Sequence, residues 1–449
     1  MAVTGSHDEL AAAASAVLER NWMGHATRPS PRLYPHQWSW DSAFMAMGQA
    51  LADPQRAQQE LRSLFAAQWS NGLLPHIVFS EGPGRYFPGA DFWQSGRCPY
   101  APRRPQTSGI VQPPVHALSA WRVFERLPDR DLGRAFLAEL LPQLTAWHAY
   151  LYRERADEHG LVEIWHPWES GMDNSPLWDA ALARIDPAPE QIPSYERIDL
   201  DYAEVDHRPT DREYDRYVFL VASMRDRAYL PDRIRADLPF RVQDALFNSI
   251  LVRANRDLAR IAREVGADHR QFDDWAAWTA GGIEARMWSE DEGLYLDVDA
   301  CTGERIGIRT FAGFTPLLAG VPDSTRAARL VAELDTFAVA SADGLLVPSL
   351  GRDDPRFEPA RYWRGPAWPV VQWVLQDGLD QYGYRDHAAR LRAGLLAVVE
   401  RSGFWEHYDP TSGDANGGEH FAWTAAIVLD VLAAGSGAAR RSGEPAPIP

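Results

Sequence analysis

Apolar residues recur three and four positions apart in segment after segment of this chain, and that period is the strongest limit on what it can fold into. Leu137, Leu140, Leu141, Leu144, Trp147 and Leu151 form one stripe; Phe247, Ile250, Leu251, Ala254, Leu258, Ile261 and Val265 form another. Similar stripes run through 43–52, 56–68, 115–126, 215–229, 369–382, 387–400 and 420–433. The apolar stretch 10–18 follows acidic residues and not a basic leader, so it reads as an amphipathic helix and not as a signal peptide. Strand signals are confined to 160–165 and 293–298, and the alternation that builds a parallel sheet is missing. Asp41 and Asp386 stand where N-caps are expected, and Pro113-Pro114 where a helix would begin. The expected fold is all-α. No fixed-period repeat supports a regular solenoid, which leaves a closed ring of helical hairpins as the natural arrangement.

The body, 1–434, reads as one domain with irregular insertions near 71–114 and 158–212, and 435–449 as a disordered tail. Irregular segments of that length inside a compact domain are usually functional loops. Composition removes several chemistries. All 45 basic residues are arginine, so lysine-dependent Schiff-base, pyridoxal-phosphate and P-loop mechanisms are excluded. With 62 acidic residues the net charge is −17, which argues against a nucleic-acid partner. No apolar run is long enough to span a membrane. Cys98 and Cys301 are too few for a disulfide framework, and the absence of an export signal points to the cytoplasm. No metal cluster is apparent and no cofactor is expected. The expected partner is a small molecule; the oligomeric state stays open, a homo-oligomer included.

The 18 tryptophans carry the functional signal. They gather with carboxylates in Gln37-Trp-Ser-Trp-Asp41, Trp165-His-Pro-Trp-Glu-Ser-Gly-Met-Asp-Asn-Ser175, Tyr362-Trp-Arg-Gly-Pro-Ala-Trp368 and Phe404-Trp-Glu-His-Tyr-Asp409. Aromatic faces stack on the C–H faces of a sugar while carboxylates and amides bond its hydroxyls. Glycoside hydrolysis adds the need for one carboxylic acid and one carboxylate. An apolar surround raises a carboxyl pKa, as a general acid near neutrality requires. Core tryptophans beside caps and salt bridges are the plainer reading of any one segment. Spacing alone leaves Asp41, Glu169, Asp173, Asp179, Glu406, Asp409 and Glu419 all open as the catalytic pair.

The motifs narrow that choice. Trp168-Glu-Ser-Gly-Met-Asp-Asn-Ser175 resembles the general-acid loop of inverting α-glucosidases and trehalases, and Phe404-Trp-Glu-His-Tyr-Asp-Pro410 their general-base segment. Tyr34-Pro-His-Gln-Trp-Ser-Trp-Asp41, Gly72-Leu-Leu-Pro-His76 and Thr107-Ser-Gly-Ile-Val-Gln-Pro-Pro114 extend the likeness along nearly the whole chain. Together they resemble the bacterial glucosylglycerate/mannosylglycerate hydrolases of glycoside hydrolase family 63, which are (α/α)6 barrels. That resemblance implies Asp173 as general acid and Glu406 as general base; Asp179 and Glu419, each next to aromatics, stand as second choices. It implies a sugar subsite of Tyr34, Trp38, Trp40, Asp41, His76, Tyr86, Gln112, Trp168 and Gly171, faced by Tyr362, Trp363 and Trp368. A glycerate carboxylate calls for an arginine, and Arg208 with Tyr214 is favoured because the chain there is not yet helical. Arg212 and Arg216 read instead as one exposed helical face. The implied activity is an inverting α-glycosidase for glucosylglycerate, with mannosylglycerate a close second. Trehalase and oligosaccharide α-glucosidase are the rivals, and a sugar epimerase or a non-catalytic sugar-binding protein the readings of another class.

Overall fold

The computed structural model describes residues 7–81, 86–202 and 204–435, so the expected disordered tail lies outside the described residues apart from Gly435. Twelve helices among them alternate along the chain between two roles. His7–Asn21, Pro54–Phe65, Arg130–Glu154, Arg270–Arg286, Ser324–Phe337 and Arg385–Ser402 each keep a face in solvent. Ser39–Ala52, His116–Arg126, Ala245–Glu264, Pro316–Ala319, Pro369–Gln381 and Ala422–Gly435 are buried on most sides. These six touch one another in chain order, and the last closes on the first. The result is an inner ring inside an outer one: an (α/α)6 barrel. Closure depends on Gly48, where an added Cβ would stand 2.4 Å from the Ala426 backbone. Any larger side chain there would wedge the first and last inner helices apart.

Away from the cavity described below, the inner helices are joined by charge. Asp377 accepts from Arg122 at 2.6 Å and from Arg253 at 2.7 Å. Asp430 pairs with Arg126 and accepts the Trp373 indole N–H at 2.7 Å. Partly buried arginine–aspartate pairs thus tie four inner helices together.

Several sequence expectations need correction. Trp38 and Tyr384 occupy the N-cap positions of Ser39–Ala52 and Arg385–Ser402. Asp41 and Asp386 therefore sit inside the first turn, where a carboxylate meets the helix dipole without capping. The helix expected from 215 begins earlier, as Asp211–Asp226, because Thr210 and Glu213 form a capping box. Tyr214 is consequently helical, whereas Arg208 is not. Two outer helices and one short inner one fall outside the expected set. Ser324–Phe337 buries Ala327, Leu330, Val331, Leu334 and Phe337, a stripe as regular as the others. Arg270–Arg286 buries only a thin face around Phe272, Ala276 and Ile283 and contains Gly281-Gly282, so its period is weak. Pro316–Ala319 is a single turn, too short to show a period at all. The two strand signals are real but shorter, at Glu163–Ile164 and at Leu294–Tyr295 with Val298–Asp299.

Candidate active site

A cavity opens where the segments leading into five inner helices meet. Tyr34, Trp38, Trp40 and Asp41 border it from the first segment, and His76, Tyr86 and Gln112 from the second. The long third segment supplies Trp168, Gly171, Asp173, Arg208 and Tyr214. Tyr362, Trp363 and Trp368 come from the fourth and Glu406 from the fifth. Every site residue expected from the sequence therefore borders the same space.

Short strands fix these side chains. Gln37–Trp38 pairs antiparallel with Ile77–Val78, which joins Trp38 to the segment carrying His76. Trp405–Tyr408 pairs with Ala415–Glu419, and a register shift between Trp405 and His407 turns Glu406 inward. Gly171 has φ +74°, and a Cβ there would stand 2.5 Å from the Trp40 ring, so only glycine lets the acid-bearing loop lie against the indole. Trp363 and Trp368 stack at 3.9 Å and 6°, forming a flat aromatic wall.

Two carboxyls face each other across two phenols. The Asp173 carboxyl meets the Tyr362 hydroxyl at 3.4 Å, Tyr362 meets the Tyr34 hydroxyl at 2.9 Å, and Tyr34 meets Glu406 Oε1 at 2.9 Å. These three links cap the separation of the two carboxyl oxygens at about 9 Å. Glu406 Oε2 also accepts the Gly418 backbone N–H at 2.9 Å. Burial pushes Asp173 up to about 7, offset in part by Arg208 and reinforced by Glu406. Burial also raises Glu406, opposed by Arg208, the Gly418 N–H and the two tyrosines. Burial thus favours the protonated form of Asp173 up to near neutrality, as the acid of a glycosidic cleavage must be, while Arg208 and the hydrogen-bond donors around Glu406 favour its ionised form.

Arg208 is buried between them. It donates to Asp199 at 3.2 Å and to the Tyr34 oxygen at 3.3 Å, and its guanidinium lies 4.3 Å over the Tyr362 ring. Arg32 is the other arginine bordering the cavity among the described residues; it is largely exposed and pairs with Glu419 at 3.7 Å. His76 is held neutral by burial. Ser108 Oγ accepts the Ile77 N–H at 3.0 Å and lies 2.6 Å from His76 Nδ1. The serine hydroxyl thus fixes the orientation of the His76 ring at the edge of the cavity.

The competing carboxylates are otherwise engaged. Asp179 ion-pairs with Arg364 outside the cavity, and Glu419 is an exposed partner of Arg32 and His420. Glu169 is fully buried, held bidentate by Arg155 at 2.9 and 3.0 Å and accepting the Val111 and Trp165 backbone N–H groups. Asp409 accepts from Thr411 and Ser412 in the hairpin turn. Asp199, Tyr202, Phe421 and Trp423 border the cavity without having been singled out from the sequence. Asp199 lies in a stretch without tryptophan, so aromatic clustering passes over it; Trp423 falls in the apolar stripe 420–433, which predicts a helix and no site. Among the described residues no group of three or more His, Cys, Asp and Glu is placed to hold a metal ion.

Comparison with known proteins agrees with this architecture. Residues 34–424 match the family profile described as mannosylglycerate hydrolase MGH1-like glycoside hydrolase domain. The mannosylglycerate hydrolase of Rubrobacter radiotolerans is 46% identical over 95% of this chain and 98% of its own length. The glucosylglycerate hydrolase of Mycolicibacterium hassiacum is 37% identical over 94% of this chain and 98% of its own. The crystal structure of the family 63 mannosylglycerate hydrolase from Thermus thermophilus in complex with Tris and D-glycerate has a TM-score of 0.88 and 44% identity, covering 94% of this chain and 99% of that one. With the ring, the paired carboxyls and these relatives in agreement, the chain belongs to the MGH1-like glycoside hydrolases of family 63.

Proposed function

We propose that this enzyme hydrolyses α-glycosides of glycerate, both glucosylglycerate and mannosylglycerate, to the hexose and glycerate with inversion at the anomeric carbon. The observation that carries the reading is the buried cavity holding Asp173, Glu406 and Arg208 together. Asp173 donates its proton to the glycosidic oxygen as the C–O bond breaks. Glu406 removes a proton from the water that attacks the opposite face of the sugar. The ceiling of about 9 Å on the carboxyl separation admits the spacing of about 6.5–9.5 Å at which inverting pairs leave room for that water. The aromatic walls stack the hexose, and Asp41 accepts from its hydroxyls. The names of the high-coverage relatives, which include both hydrolases, support glycerate as the aglycone. One catalytic domain carries the activity, and its two unpaired cysteines suit the cytoplasm.

Two measurements test the reading. Hydrolysis of glucosylglycerate, mannosylglycerate, trehalose and kojibiose is expected to be fast for the first two only, and proton NMR of the nascent sugar is expected to show the β anomer. An α anomer, or trehalose as the preferred substrate, would refute it. The glycerate carboxylate is assigned to Arg208, the buried cation of the cavity among the described residues. Arg208→Gln is then expected to raise KM for hexosylglycerates by roughly 10–100-fold, in line with a lost charge-assisted contact. The rise should be much smaller for the neutral glycerol glycoside, and equal losses on both would remove Arg208 from that role.

A further inference from the structure

An inverting glycosidase finishes each turnover with its protons misplaced. The acid has given one to the leaving oxygen, and the base has taken one from water. Before the next substrate can react, one proton must travel from the base back to the acid. Resting on the assignment of Asp173 and Glu406 above, we propose that Tyr34 and Tyr362 form the relay that returns it.

The contacts carry this by counting. Three oxygen–oxygen links join Asp173 to Tyr362, Tyr362 to Tyr34, and Tyr34 to Glu406, at 3.4, 2.9 and 2.9 Å. Three hydrogen bonds need three hydrogens, and two phenols bring only two. The third is a carboxyl proton, so the chain as a whole holds one proton shared between the two carboxyls. Before reaction Asp173 owns it: Asp173 donates to Tyr362, Tyr362 to Tyr34, and Tyr34 to the ionised Glu406. After reaction the order is reversed: Glu406 donates to Tyr34, Tyr34 to Tyr362, and Tyr362 to the ionised Asp173. A concerted hop along the chain converts the second state into the first. The Glu406 proton passes to the Tyr34 oxygen, the Tyr34 proton to the Tyr362 oxygen, and the Tyr362 proton to Asp173. No charge is created or lost, no other reactant is consumed, and both end states satisfy every hydrogen bond.

Two further features favour this route. Glu406 is only 2% exposed and holds the Tyr34 hydroxyl and the Gly418 N–H on its two oxygens, so the first phenol of the relay is already bonded to the carboxyl that must give up the proton. Arg208 stands at the midpoint, 3.3 Å from the Tyr34 oxygen and 4.3 Å over the Tyr362 ring, where it stabilises phenolate character as the protons cross.

The test compares the first turnover with those that follow, in Tyr362→Phe and, separately, Tyr34→Phe. Each variant starts with its proton on Asp173, so its single-turnover rate with enzyme in excess, which reports the contacts of the two phenols with sugar and carboxyls, should fall at least about 10-fold less than its steady-state rate. Steady-state kcat at saturating glycoside should fall at least about 10-fold, with a burst of one product per active site. Imidazole, a small proton carrier, should restore kcat in the variants and leave the unsubstituted enzyme unaffected. Equal losses in the single-turnover and steady-state rates would overturn the relay and reduce the tyrosines to binding groups. Unchanged kcat in both variants would overturn it as well. Failure of the acid–base assignment itself appears elsewhere, as a normal first turnover in Asp173→Asn.

Discussion

Asp173→Asn is expected to lower kcat for an unactivated hexosylglycerate by roughly 10³–10⁴-fold, the upper part of what a positioned general acid contributes. The amide matches the carboxyl in shape and still bonds the Tyr362 hydroxyl, so KM should change little. The loss should depend on the leaving group. A glycosyl fluoride departs without protonation, so the variant should keep a far larger share of activity on it than on the natural glycoside. Comparable losses on both substrates would remove Asp173 from the acid role. The pH profile supplies a second check. Because burial holds Asp173 near 7, kcat/KM of the unsubstituted enzyme should fall as pH rises through about 7, and that limb should vanish in the variant. Stability should follow the same proton. The native state keeps a proton that the unfolded chain releases in the ordinary carboxylate range, so its stability declines as pH rises toward 7. Asparagine carries no such proton. Thermal melts should therefore show the variant's Tm, relative to the unsubstituted enzyme, more favourable at pH 8 than at pH 5.

Glu406→Gln should cost a similar factor, roughly 10³–10⁴ in kcat, but with a different signature. Here the missing group is the one that activates water, and a better leaving group supplies no nucleophile. The glycosyl fluoride should therefore be hydrolysed as poorly as the natural glycoside. The contrast between the two variants on one pair of substrates separates acid from base, which neither measurement does alone. Glutamine can accept the Gly418 N–H with its oxygen and donate its amide to the Tyr34 oxygen, so a normally folded protein with intact substrate affinity is expected, readable by calorimetric titration with the intact glycoside. A Glu406→Gln enzyme that turned over the natural substrate at the unsubstituted rate would point to a different base.

The parts of this molecule legible in the sequence are those governed by local pattern. Most of the ring helices announce themselves through apolar period, and the carboxyl-bearing loops through tryptophan placed beside acid. The helix Arg270–Arg286 does not, because its buried face is narrow and its stability comes from the neighbours that the ring supplies. Asp199 illustrates the same gap within the site. Its place beside Arg208 depends on how a long irregular segment folds back over the cavity, which no short-range spacing records. The exclusion of Glu169 was equally invisible. Only the fold reveals that Arg155, outside its motif, binds both its oxygens and fixes it as a strut beneath the loop it belongs to.

The arginine–aspartate network that joins the inner helices has a consequence for heat and alkali. Dehydrating charge becomes less costly as temperature rises, so such a network gains relative weight when the hydrophobic contribution has levelled off. Guanidinium groups do not lose their protons at any pH that water-soluble proteins normally meet, and a chain without lysine has no weaker cation in their place. The barrel therefore has unequal ends. Melting should start at the loop-built mouth, where amide hydrogens exchange first, while the riveted base holds the ring shut until the global transition.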